Sequence, residues 1–382
     1  MHFRSIALVS LLAVTASLGC SAQDSFQAQH DALLQRASAS QHAWPGATTA
    51  PTPTARAAPV GVTPVERRDG FVGVRAAAMS GFIDRQTRVW AVGSRLRVVG
   101  AELCDDVRYT FGFFAIDRNT FSIDDRALAD DFGLGPGVRI WRVREEFAEA
   151  SARLRRGDEI VAIDGKSVHD FRSFEKAMRK PFKHGEMSMM IVDDSGAVQE
   201  MSLRGELACD FRVGLIEGYS VNAYADGKNV FITEGMLRTA HSDDDLAVIL
   251  GHALAHNELG HPLRKRVQGA AGLLFDVATF VFTGVYTGGA FHNLAKVAFA
   301  GGMEEDADYM GLYLAAGAGY DVSGAPQLWD RMIAADADGA NDGVLTAHPT
   351  TLDRATALGR TIREIKAKQT DVDAASPEDS ES

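Results

Sequence analysis

The sequence predicts an α+β protein in which helical segments flank a β-rich insert, and three observations support this prediction. Apolar side chains recur at helical spacing across residues 85–104, at Val89, Val92, Leu96 and Val99. They recur again in the segment that follows Ser242. Between about residues 131 and 204 the pattern changes to short strands separated by turn signals. With 46% apolar residues, the 382-residue chain can form a folded body of roughly 300 residues.

The composition excludes several classes of protein. The chain has 39 basic and 51 acidic residues, a net charge of −12, and no long basic stretch. A nucleic-acid-binding role therefore has no electrostatic support. Three cysteines without a CxxC pair do not fit a small disulfide-stapled domain.

The first residues predict export from the cytoplasm. Arg4 precedes an uncharged apolar stretch over residues 6–18, which is typical of a secretory signal. Leu18-Gly19-Cys20 resembles a bacterial lipobox, in which residues 1–19 are removed and Cys20 is lipidated. The alternative is ordinary cleavage after Ala22, and Ser17 stands where a lipobox usually has Leu. We expect a periplasmic protein of the bacterial cell envelope, anchored to the membrane by lipid in the first case and soluble in the second.

Two segments resemble flexible connections rather than folded units. Residues 20–65 contain Pro45-Gly46 and the alternating run from Ala50 to Thr54, which lacks apolar periodicity. Such Pro-rich polar stretches are typical of linkers. Residues 369–382 are acidic and Ser-rich, and the sequence predicts a disordered tail there.

The middle module, residues 131–205, has a signature of its own. Gly157-Asp158 leads into the apolar strand Glu159 to Ile163, and Asp164-Gly165 is a hairpin signal. This string resembles that of a PDZ domain, which captures extended peptides, including C-terminal ones, by strand addition. Phe132-Gly133-Leu134 loosely matches the carboxylate-binding loop of such domains. A spacer or lid is the alternative role for the module.

Cys104 and Cys209 flank this module. In an oxidising compartment two such cysteines usually form a disulfide, which would join the two ends of the insert. The alternative is a pair of buried free thiols.

A candidate metal site follows Cys209. Ser242 and Asp245 form a capping-box pattern at the start of a helix, and His252 and His256 lie four residues apart on one side of it. Two imidazoles at that spacing suit a tetrahedral metal, most plausibly zinc. Glu304, in a run that predicts a second helix start, is a candidate third ligand. Asp308, one turn later, is a candidate hydrogen-bond acceptor for a ligating histidine.

Four motifs in order complete the pattern. They are Val221 to Gly227 (VNAYADG), Gly251 to His256 (GHALAH), Glu304 with Ala307-Asp308, and His348-Pro349 followed by Arg354. Together they resemble the zinc metallopeptidase family of the CAAX prenyl proteases, the HtpX-like proteases and their secreted bacterial relatives, some of which carry a PDZ module.

The resemblance implies a mainly helical gluzincin-type peptidase domain with a small sheet, built from residues 66–130 and 206–368 around the PDZ-like insert. It implies one zinc ion held by His252, His256 and Glu304, with Asp308 hydrogen-bonded behind a ligand. It places His348 near the oxyanion or the open coordination position, and Arg354 as an orienting residue or, alternatively, a surface ion pair. The substrate cleft would be lined by Asn222, Ala223, Tyr224 and Ala225, although Asn222 is equally compatible with a turn cap.

One position departs from the family motif HExxH. Its glutamate takes a proton from zinc-bound water, and this chain has Ala253 there. Loss of a positioned acid/base group typically costs about 10²–10⁴-fold in rate. Glu258, Glu305 and Asp276 are not clear replacements, because the first two are expected to point away and the third lies in a long uncharged stretch.

Three functions therefore compete. The first is a zinc-binding protein that binds unfolded or envelope proteins and peptides without efficient cleavage. The second is an active zinc endopeptidase in envelope protein quality control with another proton acceptor. The third is a PDZ-based adaptor with a vestigial metal site.

Overall fold

The computed structural model describes residues 70–144, 147, 153–262, 300–336 and 352–375. The signal and linker segments, Cys20, Asp276 and His348 lie outside these residues. Within them, no helix is both long enough and apolar enough to cross a membrane. The α-helices of the described residues are α1 (Gly70–Val99), α2 (Arg126–Asp131), α3 (Phe171–Met178), α4 (Glu234–Thr239), α5 (Asp243–Glu258), α6 (Ala300–Gly317), α7 (Ala325–Asp336) and α8 (Leu352–Ala375).

The strands form three sheets in the described part of the chain. They are β1 (Val107–Thr110), β2 (Phe113–Ile116), β3 (Val138–Val143), β4 (Glu159–Ile163), β5 (Lys166–Ser167), β6 (Glu186–Val192), β7 (Val198–Arg204), β8 (Glu206–Cys209), β9 (Arg212–Ile216), β10 (Ala223–Ala225) and β11 (Asn229–Thr233). A six-stranded sheet has the order β2-β3-β4-β6-β7, with β5 paired to β4. β1 pairs with β8, and a third sheet has the order β10-β11-β9. The mixed helix and sheet content agrees with the predicted α+β class.

The six-stranded sheet is the centre of a unit with its own apolar core. Phe113 and Ala115 of β2 belong to that core, whereas Phe114 and Ile116 pack on the other side of the strand, in a cluster shared with α1. Because both faces of β2 are apolar, its sequence lacks the alternation that marks a half-buried strand. The unit therefore begins near residue 111, and the expected boundary at residue 131 is too late.

The hairpin predicted at Asp164-Gly165 is present. Both residues have positive φ, 46° and 71°, and Ile163 pairs with Lys166 across the turn. Positive φ at both central residues is the type I′ signature, which matches the twist of the flanking strands. The Asp-Gly signal was sufficient to locate it.

The segment Phe132-Gly133-Leu134 lies beside α1. Leu134 is fully buried in the cluster that contains Met79 and Ile83 of α1, whereas Gly133 is exposed. The match of this segment to a carboxylate-binding loop stays a prediction.

Helix α1 joins the two folded units. Its first half contributes Met79 and Ile83 to the contact with the sheet unit, and its second half contributes Val89, Val92 and Leu96 to the helical core. The expected helix over residues 85–104 captured only the second half. The first half has no single apolar stripe, because small residues such as Gly73 and Gly81 interrupt it.

The two ends of the sheet unit are held together at one point. Cys104 and Cys209 form a disulfide with their Cα atoms 5.5 Å apart. Beside it, β1 and β8 pair from Val107↔Cys209 to Thr110↔Glu206. The chain thus enters and leaves the unit through a short two-stranded ribbon.

Two helix ends differ from the sequence prediction. α6 begins at Ala300, so Glu304 lies in its second turn rather than at its start. α8 continues to Ala375, beyond the predicted tail boundary at residue 369. No glycine or proline interrupts residues 360–375, and Pro377 then disfavours further helix.

Helices α5 and α6 approach each other at backbone distance. A Cβ placed on Gly251 of α5 would stand 2.5 Å from the carbonyl oxygen of Gly311 of α6. A Cβ on Gly311 would stand 2.6 Å from the amide nitrogen of His252. Only glycine at both positions allows this crossing, which brings the histidines of α5 beside the acidic residues of α6.

The substitution Gly251→Ala tests this constraint. We expect a loss of about 1–3 kcal/mol of unfolding free energy, because the added methyl group would push the helices apart. Gly302→Ala in α6 is the matched control, since its Cβ meets nothing within 4 Å. The control should be neutral or gain up to about 1 kcal/mol from helix propensity. Urea unfolding of both variants measures the difference, and equal stability would contradict the close crossing.

Candidate metal centre

The helix that carries the histidine pair begins as the sequence predicts. Asp245 N–H donates to Ser242 Oγ at 3.1 Å, and the Asp245 carboxylate accepts from Ser242 N–H at 3.3 Å. This capping box fixes where α5 starts. One face of the helix then presents His252 and His256 to α6.

Three side chains converge at the crossing of α5 and α6. The Nε2 atoms of His252 and His256 are 3.0 Å apart, and each lies 3.5 Å from Oε2 of Glu304. All three residues are buried, with Glu304 only 1% exposed. Ligands about 2.0–2.1 Å from a tetrahedral zinc ion are roughly 3.3–3.4 Å from one another. The three donor atoms therefore have the spacing and the chemistry of a zinc site.

The back of the His252 ring is held by a buried ion pair. His252 Nδ1 lies 2.8 Å from Oδ1 of Asp308, and Arg354 donates to both Asp308 oxygens at 2.6 and 3.0 Å. Burial alone would raise the pKa of Asp308, but the hydrogen bonds from Arg354 and His252 outweigh it and hold that pKa below its usual range. Asp308 therefore stays anionic and accepts the Nδ1 proton of His252, so that the lone pair of Nε2 is the one presented to a metal.

Arg354 is part of this buried network. The residue is 4% exposed, its guanidinium carbon stands 4.1 Å from the ring centre of Trp329, and Nη1 lies 3.7 Å from Oε2 of Glu304. The alternative that it forms a surface ion pair is wrong. Its charge partly balances Glu304, a member of the ligand triangle, and Asp308, which lies behind His252.

Three further residues at the site escaped the sequence analysis. His261 places Nδ1 2.9 Å from Nδ1 of His256. The ring of Trp329 lies edge-on to His252 at 5.7 Å.

Asn257 connects α5 to the β10–β11 hairpin. Its side chain accepts from Gly227 N–H at 2.7 Å and donates to the Asn229 carbonyl at 3.1 Å. His261 and Asn257 could have been suspected because they follow His256 within five residues. No feature of the sequence near Trp329 indicates that it lies at the site.

The strand predicted to line the cleft is β10, at the edge of its sheet. Asn222 is buried just before it, and its Oδ1 accepts from Ala223 N–H at 2.8 Å. Asn222 thus caps the start of the strand, which supports the turn-cap alternative for its side chain. Asn222 carbonyl and Asp226 N–H both bond to β11. Along an antiparallel strand, successive residues direct their backbone N–H and C=O groups alternately toward and away from the paired strand. The backbone groups of Ala223 and Ala225 therefore point away from β11, toward the open edge of the sheet as the described residues form it.

A small apolar pocket is lined by residues of β10, α4, α5 and α7, one of which is the candidate ligand His252. Its lining consists of Ala223, Met236, Val248, Ile249, His252, Leu328, Trp329 and Met332. The pocket therefore has room for the end of a small apolar side chain beside β10.

Ala253 occupies a buried position, 2% exposed, within the helical core. Its methyl group supplies no proton acceptor. Glu258 accepts from Asp105 N–H at 3.3 Å, on another side of α5, as predicted. Asp308 and His261 contact the Nδ1 atoms of the ligating histidines, on the side of each ring away from Nε2.

Comparison with known proteins agrees with this geometry. Residues 196–362 match the family described as "Peptidase family M48". This region, less than half of the chain, is therefore similar to the M48 zinc metallopeptidases. The matched residues include the complete triangle of His252, His256 and Glu304.

Curated relatives are all similar at low identity. The chain is 30% identical over 152 residues to mitochondrial metalloendopeptidase OMA1 of Schizosaccharomyces pombe, covering 37% of this chain and 44% of that protein. Its identity to OMA1 of Arabidopsis thaliana is 29% over 170 residues, covering 40% and 34%. The chain thus spans less than half the length of either relative.

One solved structure shows a weak likeness to this chain. The HtrA-type protease AlgW with decapeptide matches at 23% identity, over 27% of this chain and 29% of that chain, with a TM-score of 0.19. At that TM-score the likeness carries no argument about fold or function.

Removing Arg354 tests the buried network. In Arg354→Met the Asp308 carboxylate stays buried without its main counter-charge, and we expect a loss of about 3–5 kcal/mol of unfolding free energy. Arg179→Met, which breaks an exposed pair with Glu175, is the matched control and should cost at most about 0.5 kcal/mol. Denaturant unfolding of the metal-free proteins compares them. Similar small losses in both variants would contradict the network's role.

Proposed function

We propose that this protein binds zinc and extended protein segments in the bacterial cell envelope, and that it cleaves them poorly or not at all. One observation carries the proposal: the ligand triangle of His252, His256 and Glu304 is complete, while the position of the general base holds Ala253. A buried, fully formed ligand set with no proton acceptor at position 253, and none beside it in the described part of the chain, favours binding over turnover.

The residues around the candidate metal position would have different roles. Bound zinc would act as a Lewis acid and lower the pKa of a coordinated water. His252, His256 and Glu304 would hold the ion, and Asp308 with Arg354 keeps His252 in the tautomer that a ligand needs. No described residue next to Ala253 is placed to take up the proton that peptide hydrolysis releases. The lack of a general base is expected to lower the rate of peptide hydrolysis about 10²–10⁴-fold.

Peptide binding is supported by the edge strand and the pocket. The outward carbonyl of Ala223 and the outward N–H and carbonyl of Ala225 can pair with an extended segment, as edge strands do in many peptide complexes; the Ala223 N–H is already bonded to Asn222 Oδ1. The adjacent apolar pocket would receive one side chain of that segment. These two features favour unfolded or loosely structured protein as the ligand, because a folded partner rarely offers an extended strand with a protruding apolar side chain.

The envelope location rests on the predicted signal sequence, with Cys20 as a lipid anchor or Ala22 as the cleavage point. The Cys104–Cys209 disulfide supports an oxidising compartment. The proposed partners are accordingly envelope proteins, and the lipid anchor would place the site beside a membrane.

Two alternatives have their own support. The curated relatives carry the name metalloendopeptidase, which favours an active enzyme that uses another proton acceptor. The separate core of the six-stranded sheet favours a PDZ-like adaptor that binds C-terminal peptides and needs no metal.

Restoring the base tests the main proposal. We expect the natural chain to bind one zinc ion and to leave unfolded casein intact, whereas Ala253→Glu should cleave it at least about 100-fold faster. A chelator should abolish the activity of the variant. The control is Ala253→Gln, which has a similar shape but does not accept a proton. Chelator-sensitive cleavage by the natural chain would establish the active alternative instead.

A binding experiment locates the peptide site. Labelled, carboxymethylated casein is titrated into the natural chain, into Val248→Phe, which fills the pocket, and into a chain lacking residues 111–205. The cut lies next to the paired residues Thr110 and Glu206, so the new ends already meet.

We expect Val248→Phe to weaken binding several-fold and the deletion to leave it within about twofold. Zinc content of each variant checks that the metal domain remains folded. The opposite result, with binding lost in the deletion and dependent on a free C-terminal carboxylate, would favour the adaptor.

A further inference from the structure

A third histidine lies behind the ligand triangle. His261 follows the end of α5, where Gly260 adopts a left-handed conformation with φ +65°. The backbone turns there through bonds from Leu259 N–H to Ala255 carbonyl and from Gly260 N–H to Asn257 carbonyl. This reversal carries His261 back under the helix, where it is only 1% exposed and contacts His256.

The contact constrains where protons reside. Nδ1 of His256 and Nδ1 of His261 are 2.9 Å apart, so one of them must carry the hydrogen and the other must accept it. A histidine that binds metal through Nε2 is neutral and carries its proton on Nδ1. For His256 to serve as a ligand, it must therefore be the donor and His261 the acceptor.

We propose that His261 is a positioning residue for the metal site. It accepts the Nδ1 proton of His256 and thereby directs Nε2 of that ring to the point shared with His252 and Glu304. This inference rests on the proposed zinc binding. It assigns His261 the role toward His256 that Asp308 has toward His252.

Asp308 and His261, which contact the Nδ1 atoms of the two ligand histidines, differ in charge. Asp308 is an anion balanced by Arg354, whereas His261 is a neutral acceptor when it receives the proton of His256. A second carboxylate behind His256 would add negative charge beside Glu304 without a described cation to balance it. The neutral imidazole orients the ligand at lower electrostatic cost.

Three substitutions of His261 distinguish its role as a hydrogen-bond acceptor from its contribution to packing. His261→Asn places an amide oxygen where Nδ1 stands and retains the acceptor. His261→Gln carries the same amide, but its oxygen reaches the position of Nε2. His261→Phe keeps the ring volume and has no acceptor. Zinc affinity is measured for each variant and for the natural chain by competition with a chelating dye, and the melting temperature is measured without metal.

We expect His261→Asn to stay within about threefold of the natural zinc affinity. His261→Gln and His261→Phe should lose about 10–100-fold, the usual effect of removing a partner behind a metal ligand. A merely structural role would instead make affinity follow the metal-free melting temperature, with Asn no better than Gln.

Natural-level zinc affinity in His261→Phe, or equal losses in Asn and Gln, would overturn the role of His261 while leaving zinc binding intact. Absence of zinc binding in the natural chain would overturn the proposed function, and the inference with it. The two failures are therefore distinguishable.

Discussion

The backbone contact between Gly251 and Gly311 is the constraint on which the metal centre depends. Neither helix can carry a side chain at this crossing, because a Cβ on either glycine would collide with main-chain atoms of the other helix. The close approach brings His252, the residue after Gly251, within 2.8 Å of Asp308, the carboxylate one turn before Gly311. A wider crossing would separate the two halves of the site, since α5 provides both imidazoles and α6 both carboxylates.

Charge balance explains how so polar a centre remains in a protein core. Glu304 and Asp308 are almost fully buried, and burial of unpaired carboxylates is costly. Arg354 offsets part of that cost through two hydrogen bonds to Asp308 and a contact with Glu304, while Trp329 covers its guanidinium. A divalent cation between the histidines and Glu304 would offset the remainder. Ala253, also buried beside the two histidines, adds no third carboxylate to this centre.

The local parts of the site could be predicted from sequence, and the long-range parts could not. The capping box at Ser242, the His252–His256 pair and the placement of Glu304 and Asp308 on one side of α6 all follow from spacing within a helix turn. The Gly251–Gly311 crossing joins residues 60 positions apart. The spacing of glycines within a helix does not indicate which other helix will pack against them. β2 was missed because both its faces are apolar, and His261 because its direction depends on the left-handed turn at Gly260. The stacking of Trp329 on Arg354 arises only when α7 and α8 pack together.

We propose that the zinc site is complete in its ligands and lacks a catalytic base. Anomalous X-ray diffraction at the zinc edge, on crystals of the natural chain purified without added metal, tests it most directly. The account predicts one anomalous peak, within about 2.0–2.2 Å of Nε2 of His252, Nε2 of His256 and an oxygen of Glu304. It further predicts that no carboxylate other than Glu304 approaches the remaining coordination position. A centre without a peak, or a peak whose bound water is hydrogen-bonded to another carboxylate, would contradict it.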